Sequence, residues 1–598
     1  MSEKKNLNKK RIILILLSVV TVLLSVIIWQ LLAPFQLDND NIYLKTLASG
    51  EATGIYEAHL CHMAYPSGLI IKALYTITGN SVPWFGIELC FSFAVTMILI
   101  LYKALSAVKK KWVFFYLIPY FILIYTCIFY QYFAKTQYTL ATGIAGIGAL
   151  FVVSLVREDD KKLSEYLYEL IPAFLLAFWS MGMRQKAFIM LIPFFGMVFL
   201  GKMIDAVKGD KKDDPEKSGT DKKEVSKRVK KVILSFAILA GVVLISFVTD
   251  KIGYSSPEWK AFREYNSIRE SLFDYDGFPQ YDEHHKDVYE KTGITESSYE
   301  AVTKHYNLIM DENINAESMS YLAEVSKEEN RKPISVFYLF QTLTEDIIYI
   351  NIFDYQDRPL NLIVFALYFI VLVLAIVNKR SKAIRDMAFI FIARTFDWFY
   401  LVYNGRYPFR VTQILYVAEL ALLIAIILKY ELWKKKALSI IASVLVLLLS
   451  VRLAYPVAKK DFEQIKGSRE LSVSFRELED YMEAHPDNFY FFDMSHLYYT
   501  EDTLSFGKKE YENYVYMGSW MPNSPWYDNK MKAWGIDDPG EALLEKDNVF
   551  IMYQNVDFDT RDFLDYYFEE HFPGSRIEVK DTFTSSNGFV YEVLKPTY

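Results

Sequence analysis

Two carboxylates separated by one residue, Asp38 and Asp40 in Leu37-Asp38-Asn39-Asp40-Asn41, are the best-equipped groups for chemistry in this 598-residue chain. Such a pair can take a proton from a hydroxyl, hold a metal or cap a helix. The capping reading is local: Asp40 would be the N-cap of a helix over 41–49, closed by Gly50. The other two need partners from elsewhere in the chain.

The preceding stretch positions these acids. From Ile12 to Ala33 the chain is uncharged and mostly apolar, long enough for a helix to cross a bilayer core of ~30 Å at ~1.5 Å per residue. It is too long, and lacks a small-residue cleavage site, for a removable signal peptide. Lys4, Lys5, Lys9, Lys10 and Arg11 precede it and keep that end cytoplasmic by the positive-inside rule. Pro34 ends the helix. Asp38 and Asp40 are therefore expected on the far side, close to the membrane surface.

With 52% hydrophobic and 23% charged residues, the composition is that of a polytopic membrane protein with sizeable polar parts. Ten further spans are read at 84–102, 112–130, 138–156, 163–183, 187–207, 232–249, 360–377, 387–403, 411–428 and 437–456. Lys and Arg crowd the segments this assigns to the inside and are sparse in the short outer ones. Eleven spans put the C-terminus outside. The expected fold is mainly α: a polytopic transmembrane bundle with an outer helical insertion and a small outer C-terminal α/β domain. Residues 1–249 form the N-terminal transmembrane half, with the first outer loop, 34–83, bearing the acids. Residues 250–359 form the insertion, 360–456 the C-terminal transmembrane helices, and 457–598 the α/β domain. The charged stretch 209–231 reads as a disordered cytoplasmic loop. No internal repeat is visible, which weighs against an inverted-repeat transporter. Cys61, Cys90 and Cys127 are too few and too scattered for a disulfide framework. The net charge of −7 says little, because basic and acidic residues segregate by side.

Against the positive-inside bias, a few cations fall on the side of the acids: Lys135, then Arg184 and Lys186 in a tight turn, then Arg406 and Arg410. The uncharged cores flanking that turn, 170–183 and 187–200, are shorter than the ~20 residues a span needs. Two cations thus lie near headgroup depth, where Arg suits bidentate phosphate binding. Snorkelling to the interface is the alternative. In the first outer loop, 68–78 reads as an interfacial helix. His59 and His62 line a polar pocket or face water; with Cys61 they match no closed zinc site, so no metal is assigned. Arg394 and Asp397 share one face of the ninth span, and Glu419 lies within the tenth. Arg394 can pair with either acid, forming a structural network or a substrate or proton path.

In the C-terminal region, Ser474 and Glu477 form a capping box that would open a helix ending near His485-Pro486. Strands are read at 488–493, 548–553, 576–583 and 589–594, with a helix over 561–571. No Gly-rich phosphate loop or nucleophile–base pair is present, so this domain reads as recognition or support. Aromatic residues in 259–266 would either stack on a ligand or pack a core.

The first helix, an acidic motif at its outer end, an interfacial helix and a soluble outer C-terminal part resemble the GT-C superfamily. These are integral membrane glycosyltransferases that use polyprenyl-phosphate sugars, here of bacterial type. The resemblance covers the topology of most of the chain and one short motif, Asp38-Asn39-Asp40. It implies that Asp38 or Asp40 is the general base, with Asp38 favoured because Asp40 is better placed to cap a helix. Inverting transfer needs a carboxylate to accept the acceptor's proton and cations to meet the departing phosphate. The candidate substrate-binding set is His59, Lys135, Arg184, Lys186, Arg406 and Arg410. No cofactor is assigned, and use of a divalent metal stays open. The implied partners are the bilayer, a polyprenyl-phosphate-linked sugar donor and a cell-envelope glycan or lipid acceptor, with no nucleic acid. The implied location is the cell membrane. Two other readings compete: a transporter or flippase of lipid-linked saccharides, and a non-catalytic membrane protein displaying outer domains.

Overall fold

The computed structural model describes residues 2–32, 35–38, 40–107, 118–123, 129, 132–133, 135–158, 161–208, 222–330, 335–342, 345, 347–352, 357–358, 360–493, 500–507, 512–555 and 559–598. Among the described residues, nine helices are long and apolar enough to cross a membrane. They are Lys9–Leu31, Trp84–Ala107, Tyr138–Leu155, Leu163–Met183, Gln185–Lys208, Lys222–Gly253, Leu360–Val377, Phe409–Tyr430 and Lys436–Glu483. Ile12, Leu24, Leu244, Phe247 and Leu448 are exposed on their free faces, an arrangement costly in water and natural in lipid. The class is therefore a mainly helical, membrane-compatible bundle that carries a small sheet domain.

Two expected spans are absent from this set. Residues 387–403 are helical, within Ser381–Tyr403, but Lys382, Arg385, Asp386, Arg394 and Asp397 make that helix too polar. The span expected at 112–130 lies mostly outside the described residues, although 118–123 is helical. The expected disordered loop is corrected in part: Lys222 to Lys231 begin the helix Lys222–Gly253, built from the good helix formers Lys, Arg and Glu. Residues 209–221 lie outside the described residues.

The helix Tyr138–Leu155 is the axis of the bundle, buried along nearly its whole length. Its small residues make this possible: a Cβ at Gly143 would come within 2.4 Å of Ile414 on the neighbouring Phe409–Tyr430 helix. The largest correction concerns the last helix, which runs unbroken from Lys436 to Glu483 through Pro456. Pro456 was expected to end the span and Ser474 to open a new helix. Phe475, Leu478 and Met482, buried near the C-terminal end of the helix, anchor it to the core there. Ser474 pairs with the Tyr591 hydroxyl at 2.8 Å, and Glu477 accepts the backbone N–H of Ser586, so neither caps.

Eight strands are described: β1 Gln36–Asp38, β2 Lys135–Thr136, β3 Phe489–Phe492, β4 Thr500–Asp502, β5 Tyr514–Tyr516, β6 Val549–Gln554, β7 Arg576–Thr584 and β8 Val590–Thr597. The four strands expected in the C-terminal region are present, with β5 added, in a five-stranded mixed sheet of order β5-β3-β6-β8-β7. The helix Asp559–His571 packs on it. Ala301, Ile309 and Met310 of the insertion join the core beneath this sheet. The two long polar regions thus share packing at one end of the bundle, called here the cap end.

A second sheet was not foreseen. β1, just ahead of the acidic pair, is sandwiched between β2 on one side and β4 on the other, with Leu37 opposite both Thr136 and Glu501. The C-terminal region is thereby laced directly to the acidic segment. Gly86, at the start of the Trp84–Ala107 helix, permits this docking: a Cβ there would lie 1.7 Å from the Thr503 carbonyl oxygen. Gly86→Ala is expected to cost about 1–3 kcal/mol, as overpacking does. Thermal melting of the detergent-solubilised protein should show the loss, with faster proteolysis in the C-terminal region. An unchanged melting curve would mean that this contact does not hold the cap.

Candidate functional site

The helix Asp40–Ser49 begins at the second acid and is almost wholly buried. The amide oxygen of its second residue, Asn41, accepts the Tyr138 N–H at 2.8 Å, which fixes the acidic segment over the start of the central helix. Arg184 follows the end of the Leu163–Met183 helix in extended backbone. Its guanidinium donates to Thr139 Oγ1 at 2.9 Å and lies 4.6 Å from the centroid of the Tyr138 ring. The Tyr138 hydroxyl is buried without a hydrogen-bond partner among the described residues. Arg184 and Asp40 are therefore both referred to the same turn of the same helix.

Four groups act on the Asp40 carboxyl. Burial raises its pKa, but His62, Arg184, Arg410 and the Trp520 indole, which donates to Oδ1 at 3.2 Å, outweigh burial and hold it below the ordinary carboxylate range. His62 is itself pushed down to about 4 by burial, against the pull of Asp40 and with the help of Arg184 and Arg269. It is neutral at physiological pH, so the two arginines keep Asp40 ionised there. Burial also pulls Arg184 down, to about 10, which leaves it charged. Neither arginine makes a direct ion pair with Asp40 among the described residues. A buried carboxylate thus lies within electrostatic reach of two guanidinium groups, beside the indole of Trp520 and the imidazole of His62, whose ring centroids lie 5.1 Å apart.

The expected cations divide. Arg184 and Arg410 are near enough to Asp40 to lower its pKa. Lys186 instead bonds Glu270 of the insertion at 2.8 Å, and Arg406 takes Asp274 at 3.0 Å and lies over the Tyr275 ring. These two hold the insertion over the turns that carry them. Lys135 is exposed in β2, opposite Gln36 of β1, and donates to Gln464 of the long helix at 2.6 Å. His59 stacks on Trp259 at 4.2 Å and bonds the Gly253 carbonyl oxygen, which is a packing role. The Asp38 backbone is fixed in β1 opposite Thr500, and its side chain lies outside the described residues.

His59, Cys61 and His62 form no three-donor metal group among the described residues. Burial pushes the Cys61 thiol up to about 12, so it is protonated and no nucleophile. Cys61 also sits at φ 46°, a strained backbone for a residue other than glycine. Arg394 donates to Glu419 at 3.0 Å and to Asn351, which also accepts the Tyr416 hydroxyl. Glu419, not Asp397, is its partner, and Asp397 Oδ2 is buried without a hydrogen-bond partner among the described residues. At the other end of the bundle, a cavity of about 30 Å³ beside Lys202, Asp386 and Lys429 has room for a water or two.

Sequence reading missed Trp520, 480 residues from Asp40, and Arg269 and Glu270 of the insertion. Nothing local marks them; only the folded path brings them to the acidic segment. Comparison with known proteins finds no similar family, curated protein or solved structure.

Proposed function

We propose that this chain is a membrane-embedded glycosyltransferase that moves a sugar from a polyprenyl-phosphate carrier to an acceptor hydroxyl at the outer face of the membrane. The observation that supports this reading best is the buried Asp40 carboxyl, which accepts from Trp520 and is held below the ordinary carboxylate range with Arg184 and Arg410 among the causes. The acceptor oxygen attacks the sugar C1 and its proton passes to the Asp40 carboxylate. The C1–O bond to phosphate breaks with its electron pair on the phosphate, whose growing charge Arg184 and Arg410 meet. Trp520, buried against Tyr43, His62 and Trp526, positions the Asp40 carboxylate through its indole N–H, while Lys186 and Arg406 hold the insertion over the site. A transporter would use the intramembrane charges, and Arg394 is spent on Glu419 and Asn351.

Purified protein given a polyprenyl-phosphate sugar and a soluble acceptor should release polyprenyl phosphate. Movement of intact lipid-linked saccharide across vesicles without release would favour the transporter instead. Orientation is a separate test. Cysteines at the exposed positions Glu317 and Thr584 should be labelled from outside intact cells, and one at Lys435 only after permeabilisation. The reverse pattern would remove the outer face from the proposal.

A further inference from the structure

A different constellation lies in the insertion, away from Asp40. Asp282 precedes a short turn, Glu283–His285, and its Oδ1 accepts the backbone N–H groups of His284 and His285 at 3.0 and 3.1 Å. The same oxygen lies 2.8 Å from His285 Nδ1. An ionised carboxylate can only accept, so Nδ1 carries a hydrogen, and Nε2 is the ring nitrogen that turns to a second partner. That nitrogen is 2.8 Å from Glu329 Oε1, a second acceptor. What lies between the two atoms at that separation is a cation, either a second ring proton or a metal ion that His284 would share. His284 Nε2 lies 4.0 Å from the same Glu329 oxygen, so two imidazoles and one carboxylate point at one place. All three ligand atoms are within 4.8 Å of one another.

We propose that His284, His285 and Glu329 bind a divalent first-row transition metal ion, with zinc the best match to two imidazoles and a carboxylate. Asp282 fixes the tautomer of His285 from behind, the arrangement that orients metal-binding histidines generally. His284 and Glu329 are exposed and His285 is buried, so the open side of the site faces solvent and a water completes the coordination. Its role follows from where the donors lie. Glu329 is in the last turn of the helix Ala316–Asn330, whose Ser326 and Asn330 already donate to the Asp276 carbonyl oxygen at 2.8 Å. The metal would add a coordinate bond to this tie and lock the 276–285 segment, which follows Asp274 and Tyr275 at Arg406, onto that helix.

The test uses the full-length protein in detergent, stripped with chelator and titrated with Zn²⁺ alone, with Co²⁺ as the spectroscopic probe. One tightly bound Zn²⁺ per chain and a tetrahedral Co²⁺ absorption are expected. Glu329→Gln and His284→Ala should each weaken binding at least tenfold, and Asp282→Asn by about 10–100-fold, the usual cost of losing such a support. His284 has an 81% exposed side chain, so its removal leaves the fold intact. His485→Ala, at an exposed histidine of the C-terminal region, should change nothing. Equal binding by wild type and all variants would overturn the proposal. So would no binding at all together with a doubly protonated His285, which would identify the bridging cation as a proton.

Discussion

Asp40→Asn is expected to leave the protein folded, inserted and able to bind the lipid donor, yet to lower sugar transfer ~10²–10⁴-fold, the usual worth of a positioned general base. Asn keeps the shape and still accepts from Trp520, so the substitution isolates the charge. If Asp40 only capped its helix, the loss would be ~0.5–2 kcal/mol of stability with turnover per folded molecule intact. Turnover per folded molecule, measured beside a melting curve, separates the two. Asp38→Asn is the necessary companion. If it alone abolished transfer, the base would move to Asp38. If both variants kept near-normal transfer, neither acid would be the base and the transporter reading would come first.

Arg184→Ala and Arg410→Ala are expected to lower transfer ~10²–10³-fold each, as loss of one electrostatic donor to a developing oxyanion does. They should also alter the pH dependence in a way that a mere folding defect would not. Asp40 is held below the usual carboxylate range because these two cations, with His62 and Trp520, overcome burial. Without either arginine, burial regains weight and the carboxyl rises. The acid limb of the pH–rate profile, which follows Asp40 ionisation, should therefore move to higher pH in both variants. The same sign governs stability: a depressed carboxyl contributes above its unfolded pKa, and the contribution is lost as pH falls through the folded value. Arg184→Lys should recover the limb more than the rate, because lysine restores charge without the planar fork that reaches Thr139. An acid limb unmoved in both alanine variants would mean that these cations do not face the titrating acid.

Several features were legible in the chain as written because they are sums over neighbouring residues. The apolar lengths of the helices follow from hydropathy and the rise per residue, and nine of the eleven expected spans recur among the membrane-length helices. Strands such as Phe489–Phe492 and Val549–Gln554 follow from runs of aromatic and β-branched residues. The extent of the helix Asp40–Ser49, with an acid in its first turn rather than at the expected N-cap and Gly50 at φ 81° after it, follows from helix-end preferences. The side-by-side acids and the short list of cations were visible for the same reason.

What the tertiary structure alone decided is which of those groups meet. Local sequence gives Arg184, Lys186, Arg406 and Arg410 nearly the same standing. The folded chain sends two of them to Asp40 and spends the other two on Glu270 and Asp274, because the insertion lies over the turns that carry them. Trp520 reaches Asp40 only because β4 pairs with β1 and Gly86 allows the backbone of Thr503 to approach. Pro456 lies inside a continuous helix whose far end is anchored by the buried Phe475, Leu478 and Met482. Hydropathy and capping act between neighbours a few residues apart. The partners of a buried charge are fixed by the path of the whole chain, since each must be satisfied wherever folding leaves it.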